Sequence, residues 1–317
     1  MNNVIFGSGI VGLMAKVLLP DWKIVPFAKS RFFTFNPALD DNFVICDGEI
    51  DGAVKDLTAS PTIQTFLYQR AFDVGGHIFT KYDDGLCQDW LQKFFGTQQP
   101  PQATPYLRDR LNLMVYDLRV NKLYESLLNR FMPEIQREHG LGKVTEIGDH
   151  YFVRNGIREE FDNAISTIPL NVLFGLMKYA SVLETKPVHF LHVETPNLDF
   201  EGCNQLWVVD RQLAFYKVVN VARNRYLFYC HEEIQRPGQY LMALMRDFEI
   251  LDGTSVSDYT TVGPAPQLDW LENKGLYCIG SYAQWDWCMD VGSCLLRTIR
   301  YAGRGFKPFR PVAIRPA

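Results

Sequence analysis

At 317 residues the chain is long enough for one large domain or two of ordinary size, which excludes a small disulfide-stapled scaffold. Its 47% hydrophobic and 21% charged residues are those of a folded globular protein, not of a disordered or low-complexity one. With 32 basic and 36 acidic residues the formal charge is -4, which excludes a surface that is basic throughout and restricts nucleic-acid contact to a local patch.

The first elements read as a unit: an apolar strand from Val4 to Phe6, a glycine turn, an amphipathic helix from Ile10 to Leu19 that Pro20 ends, and a second strand from Trp22 to Phe27. Turn formers dominate from Ala28 to Ser60, predicting a long connection with one strand at Phe43 to Cys46. Helical patterning is read at Pro61 to Phe72 and at Gly85 to Phe95, flanking an apolar segment, Val74 to Thr80, expected as a buried strand or turn. After a loop with Pro100, Pro101 and Pro105, alternation from Leu107 to Val120 predicts an antiparallel pair. Lys143 to Ile147 and Tyr151 to Arg154 flank Gly148-Asp149-His150 as a hairpin, and Ala164 to Ile168 reads as a buried strand. Strand-like runs fill Val188 to Cys230, and a helix is expected at Gly238 to Ile250. A strand at Gly275 to Ile279 and a helix from about Met289 to Tyr301 complete the chain, with no repeat of solenoid or propeller period.

The seven cysteines (Cys46, Cys87, Cys203, Cys230, Cys278, Cys288, Cys294) include no pair at the spacing of a zinc knuckle or redox dithiol, and are expected to be reduced and buried. His189 and His192, three apart in a strand-like run, point to opposite faces, so no metal site is expected. The longest apolar run, Val4 to Leu19, is interrupted by three glycines and Lys16 and is too short for a membrane span. Met1-Asn2-Asn3 lacks the basic start of a signal peptide, and a cytoplasmic protein is expected.

Gly7-Ser8-Gly9-Ile10-Val11-Gly12 is a G-x-G-x-x-G between a strand and a helix, the setting of a dinucleotide fingerprint. The first glycine permits a tight turn, the second lets backbone amides approach a pyrophosphate, and the third lets helix and sheet pack closely. The acidic residue that usually ends the second strand is absent. In its place Ser30 offers a hydrogen bond, and Lys29 or Arg31 offers charge for an extra phosphate. Gly75 and Gly76, ahead of His77, Ile78, Phe79 and Thr80, allow close backbone approach to a flat ligand. A third segment runs from Gly275 through Gly280 to Val291, where Asp290 either meets a ligand or caps the last helix.

These three segments, with Ile165-Ser166-Thr167-Ile168-Pro169 between them, resemble in order the flavin-binding core of UDP-galactopyranose mutases, protoporphyrinogen-oxidase-like proteins and flavin amine oxidases, as a short, phage-type member would. The resemblance implies an α/β fold: a Rossmann-like FAD-binding domain of the GR2 type with a smaller mixed α+β substrate domain inserted. It implies residues 1–105, 140–180 and 255–305 for the first, 106–139 and 181–254 for the second, and a basic tail at 306–317. It further implies that FAD is held by Gly7, Ser8, Gly9, Ile10, Val11 and Gly12; by Ser30; by Gly75, Gly76, His77, Ile78 and Phe79; by Val144 and Thr167; and by Gly280, Ser281, Met289, Asp290 and Val291. His77, Tyr282 and Trp285 are expected near the ring, with core packing as the other role for Trp285. Lys217, in Phe215-Tyr216-Lys217-Val218, falls where related sequences place an F-Y-R segment, and is either a substrate contact or a solvated strand lysine.

Mutases carry an arginine after the late glycine, and Ser281 stands there, which argues against mutase chemistry. The leading expectation is a FAD-dependent oxidoreductase of the amine-oxidase type. The others are a redox-neutral nucleotide-sugar mutase, a flavoenzyme acting on an amino-modified thymine in DNA, and a binding module without turnover. The DNA reading draws on a C-terminal stretch with Arg297, Arg300, Arg304, Lys307, Arg310 and Arg315 and no acid.

Overall fold

The computed structural model describes residues 2–27, 44–60, 62–96, 107–180, 183–196, 198, 200–252, 258–262, 266–284 and 291–304. The elements of the first half are β1 (Asn3–Phe6), α1 (Ile10–Leu18), β2 (Lys23–Val25), β3 (Val44–Ile45), α2 (Asp51–Thr58), β4 (Thr65–Val74), β5 (His77–Phe79), α3 (Asp84–Phe95), β6 (Asn112–Tyr116), α4 (Val120–Gly140), β7 (Val144–Gly148) and β8 (Tyr151–Arg154). There follow β9 (Ile157–Glu160), β10 (Asn163–Ser166), α5 (Leu170–Leu176), β11 (Glu184–Glu194), β12 (Gln205–Val208), β13 (Phe215–Ala222), β14 (Arg225–Cys230), α6 (Pro237–Met242), β15 (Glu249–Asp252), β16 (Asp258–Val262), α7 (Asp269–Glu272), β17 (Leu276–Cys278), α8 (Ser281–Gln284) and α9 (Val291–Arg304).

Four short apolar strands form a parallel sheet in the order β17-β10-β1-β2. Buried on both sides, they lack the alternation of a half-exposed strand, and β10 buries the polar Asn163 and Ser166 as well. One face packs Ile5, Ile165 and Tyr277 against Ala15 of α1 and Cys294 of α9. Helices α2 and α4 extend that layer through Val54, Leu57, Leu123 and Leu127. The other face is covered by the meander β7-β8-β9 and by α5, through Phe6, Val144, Phe152, Ala164 and Leu173.

The outer strand β2 needs protection, because an edge exposes unpaired backbone donors. Glu134 of α4 supplies it, accepting the Ile24 amide at 3.2 Å and pairing with the buried Lys16 ammonium at 3.1 Å. Lys16 also donates to the Pro20 carbonyl at 2.8 Å and to that of Trp22, which locks the α1–β2 turn.

A ten-stranded mixed sheet runs β15-β11-β14-β13-β12-β4-β6-β3, with β16 added on β11 and β5 on β4. Helix α3 begins where the Asp83 carboxylate accepts the Leu86 amide (2.9 Å) and ends before Gly96. It lays Trp90, Leu91 and Phe94 on Phe72, Trp207, Tyr216 and Leu227 of the sheet. The Trp90 Nε1 donates to the Tyr216 carbonyl at 2.7 Å inside this core. Trp90→Phe keeps most of the ring but leaves that acceptor unmet, and is expected to lower stability by about 1–3 kcal/mol in urea denaturation.

Several expectations are corrected. Within the stretch expected as a helix at 61–72, the chain from Thr65 onward is strand β4, which pairs with β6, β5 and β12 on its two edges. Its Phe66, Leu67, Tyr68, Ala71 and Phe72 fit helical spacing as well, and tertiary pairing decides. Alternation from 107 to 120 yields only one strand, β6, and at Val120, where a second strand is expected to end, a 21-residue helix begins. Its buried Val120, Leu123, Leu127, Leu128 and Ile135 carry the helical period, with Pro133 accommodated inside. The helix expected at 238–250 stops at Met242, and Glu249–Asp252 pairs with β11 instead. The hairpin at 143–154 gains a third strand through Asn155-Gly156, a two-residue turn with φ of +49° and +76°. The proposed domain boundaries meet two facts of packing: β4 and β5 belong to the mixed sheet, and α4 packs on α1 and β2.

Candidate functional site

Three parallel strands end side by side, and the loops beyond them form the site. Past β1, Gly7 turns with φ +106° and its amide donates to the Val25 carbonyl at 2.9 Å. Past β10, the amide and hydroxyl of Thr167 both donate to the Phe6 carbonyl, at 2.9 and 3.0 Å. Past β17, the Ile279 amide donates to the Ser166 carbonyl at 2.9 Å, and Gly280 (φ +119°) follows. Gly7 to Gly12, Thr167, Gly280 and Ser281 therefore share the carboxyl edge of one sheet, where open α/β folds take their ligands.

The glycines divide by role. A Cβ on Gly12 would stand 2.2 Å from the Gly7 carbonyl oxygen, and one on Gly7 would stand 2.4 Å from Thr167 Oγ1. Both are required by packing. A Cβ on Gly9 would meet nothing within 4 Å among the described residues, so that position faces open space there. Gly9 is also the N-cap of α1, where it brings no side chain to the first-turn amides, and that turn holds no acidic residue. An anion is the natural partner of such a terminus.

Buried polar atoms mark the same edge. Ser8 is 2% exposed and its Oγ has no hydrogen-bond partner among the described residues; the Ser166 Oγ, fully buried, has none among them either. Gln284 donates from Nε2 to the Cys278 carbonyl at 2.6 Å while its Oε1 stays unpartnered. Unmet hydroxyls in a core are costly and call for a ligand or water. Ser166 and Gln284 were not singled out in the sequence as ligand contacts. Cys278 beneath them is pushed up to about 12 by burial, which makes it a packing thiol and not a nucleophile.

The sheet does not bring the second glycine segment to this edge. Gly75 and Gly76 form the two-residue turn of the β4–β5 hairpin in the mixed sheet, with φ of +60° and +88°. This segment was expected to be buried, yet Gly75, Gly76, His77 and Phe79 are exposed and only Ile78 reaches the core. The reason is that β5 pairs with β4 alone. Below the turn Asp73 is half-buried; burial raises its pKa, against the Gly76 amide it accepts at 2.9 Å. Lys93 is lowered to about 8 by burial, in spite of Asp210 and Asp73 beside it.

Of the other expected contacts, Val144 is a core residue packed with Phe6 and Phe152, and Val291 starts α9 against Leu13 and Met14. Ile10 and Val11 are half-buried in the first turn of α1. Lys217 lies in β13 with its ammonium 3.8 Å from the Tyr229 ring centroid. Ser30, Trp285, Met289 and Asp290 lie outside the described residues; Tyr282 falls in α8, where only its backbone is described. His189 pairs with Cys230 and His192 with Leu227 on β14. Among the described residues no cluster suited to a metal ion occurs, and no helix is long and apolar enough to cross a membrane.

No protein-family model matches the sequence, and neither does any curated protein. Solved structures do match. A reduced UDP-galactopyranose mutase superposes with TM-score 0.61 at 12% identity, over 97% of this chain and 95% of that one. A putrescine oxidase redesigned in its cofactor binding gives 0.54 at 12% identity, over 94% and 98%. A flavin-dependent brominase gives 0.54 at 13%, over 95% of this chain and 77% of that one. At such identities the likeness is one of fold: the chain has the Rossmann-like α/β fold of these structures, as the sequence resemblance implied.

Proposed function

We propose that the chain is a FAD-dependent oxidoreductase of the amine-oxidase type, with an amine as its substrate class. The observation that carries this reading is the cradle: among the described residues, Gly9 faces open space at an uncapped helix start, and the buried Ser8 hydroxyl beside it has no partner. The first-turn amides of Gly9 to Gly12 would hold the pyrophosphate, Ser8 and Ser166 would satisfy their hydroxyls on the bound dinucleotide, and Gly280-Ser281 would offer further backbone donors. When bound, FAD supplies a two-electron acceptor for the hydride of a substrate C–H bond, and a second acceptor such as dioxygen removes the electrons afterwards. The chain's own task is binding, orientation and exclusion of water, and on this reading His77, Tyr282 and Trp285 stand near the reacting carbon and Lys217 orients the substrate.

A redox-neutral nucleotide-sugar mutase is the second reading, favoured by the mutase superposition and weakened by Ser281 in place of arginine. An amine borne on DNA is a further substrate proposal. Arg300 of the basic stretch is already paired with Glu49, at 3.1 Å through both Nε and Nη2, and residues from Lys307 onward lie outside the described set. The visible spectrum of the purified, FAD-reconstituted protein tests the reading. A flavin band that bleaches anaerobically with an amine and returns with oxygen uptake is expected; turnover of a nucleotide sugar that requires prior reduction of the flavin and consumes no oxygen favours the mutase. A preparation that takes up no FAD ends both. A DNA-borne substrate would show binding that falls steeply with salt.

A further inference from the structure

An imidazole that plays no part in the cradle joins α3 to three strands of the mixed sheet. His231 directly follows β14, and its Nδ1 stands 2.9 Å from the Pro187 carbonyl of β11. A carbonyl only accepts, so Nδ1 carries the proton and Nε2 is the bare nitrogen of the neutral ring. That Nε2 is buried and has no hydrogen-bond partner among the described residues. The ring stacks on Tyr216 of β13, with centroids 4.5 Å apart and planes at 20°, and tilts onto Phe94 in the last turn of α3 at 5.1 Å. Lys186 of β11 reaches the same place. Its ammonium donates to the Phe94 carbonyl at 3.3 Å and lies 3.4 Å from where a Cβ on Gly96 would stand.

A second proton on this ring would be poorly met. Burial opposes the charge first, then Lys186 and His189 of β11, while the Pro187 and Phe94 carbonyls favour it. The other ionisable groups of the surrounding elements are engaged elsewhere: Lys93 of α3 on the Asp210 carbonyl, Lys217 of β13 over the Tyr229 ring. Behind the ring, Cys230 is a thiol that burial, helped by Glu232, pushes up to about 12. The balance sets His231 below the ordinary imidazole value of 6.5. The unfolded chain therefore binds the proton more readily, so the stability lent by the neutral ring is complete above 6.5 and is lost as pH falls through the folded value.

We propose that His231 is an acid-operated clasp on the end of α3: as the neutral Nδ1–H tautomer it holds Phe94 and Tyr216 to β11, and when protonated, with Lys186 already on the Phe94 carbonyl, it lets the last turn of α3 open. The clasp is independent of the flavin reading, since every group in it belongs to α3 and the mixed sheet. It is tested in the full chain by NMR. The ring nitrogen shifts of His231 should report the Nδ1–H tautomer at neutral pH and a titration midpoint below 6.5. Hydrogen exchange of the amides in residues 92–96, corrected for the intrinsic rate, should lose protection about threefold or more between about pH 7.5 and 5, reversibly, while the amides of α4 hold theirs. His231→Phe keeps a ring on Tyr216 but takes no proton, and should make that protection independent of pH over the same range. Lys186→Met removes the opposing charge and leaves the Phe94 carbonyl to the Nε2 proton, so the His231 midpoint should rise and the acid loss should disappear. An Nε2–H tautomer, a wild-type midpoint at or above 6.5, an equal loss in α4, or an acid loss that persists in His231→Phe overturns the proposal. If the phenylalanine variant fails to fold, Lys186→Met decides, and an unchanged midpoint with an undiminished loss there overturns it.

Discussion

Gly9→Val is expected to leave thermal stability within about 0.5 kcal/mol of the wild type while weakening FAD binding by about 100-fold or more, roughly 2.7 kcal/mol. Gly9 has extended backbone (φ -70°, ψ 178°) that any residue adopts, and open space where a side chain would go. Among the described residues nothing meets the new Cβ; a ligand approaching the α1 terminus would. Gly12→Ala is the contrasting variant. There the new methyl would collide with the Gly7 carbonyl oxygen at 2.2 Å, and neither α1 nor the β1 turn can yield without opening the helix–sheet contact. It is expected to cost about 1–3 kcal/mol of stability and to lose FAD as a consequence. Thermal melting with and without FAD separates the two: ligand should raise the midpoint of the wild type and not of Gly9→Val. Equal stabilisation of both would mean that the dinucleotide does not lie over Gly9.

The cradle was legible because its physics is local. Strand, turn and helix follow one another within residues 3–18, so the G-x-G-x-x-G spacing and its setting are visible together. Ser166 becomes a site residue only because β10 inserts between β1 and β17 in a register that sets it against Phe6 and Cys278, and no spacing in the sequence expresses that. The Gly75-Gly76 turn was legible as a turn, but its burial was not: the apolar Ile78 and Phe79 suggest an interior strand, and only the pairing of β5 with β4 alone leaves Phe79 45% exposed. Helix α4 was missed where its charged positions, Arg130, Glu134, Arg137 and Glu138, break an apolar face that is narrow, and where Pro133 argues for a stop. Two of those charges, Glu134 and Glu138, turn out to be structural.

Arg154→Met is expected to be among the most destabilising single substitutions outside the apolar core, by about 3–5 kcal/mol. The Arg154 guanidinium is 3% exposed and spans two elements: Nη1 donates to Glu138 of α4 at 3.1 Å and to its carbonyl at 3.0 Å, while Nε and Nη2 hold both oxygens of Glu159 at 2.6 and 3.0 Å. Lys23 at the start of β2 completes the set, 3.0 Å from each of the same two carboxylates. Two cations and two anions thus tie the meander, α4 and the edge of the parallel sheet together. Removing the arginine leaves Glu138, 5% exposed, with Lys23 at 3.0 Å and the exposed Arg137 at 3.6 Å as its cations. Burial raises the pKa of Glu159, but the donors Arg154 and Lys23 outweigh it and hold the group below the usual carboxylate range. A depressed carboxylate adds stability above its unfolded pKa and loses it as pH falls through the folded one. Acid denaturation should therefore be shallower in Arg154→Met than in the wild type below pH 5. The double variant Arg154→Met, Glu138→Gln should be less destabilised than the sum of the singles, by about 1 kcal/mol or more, because the stranded charge is gone. Additive losses with an unchanged acid slope would show that these four groups act independently.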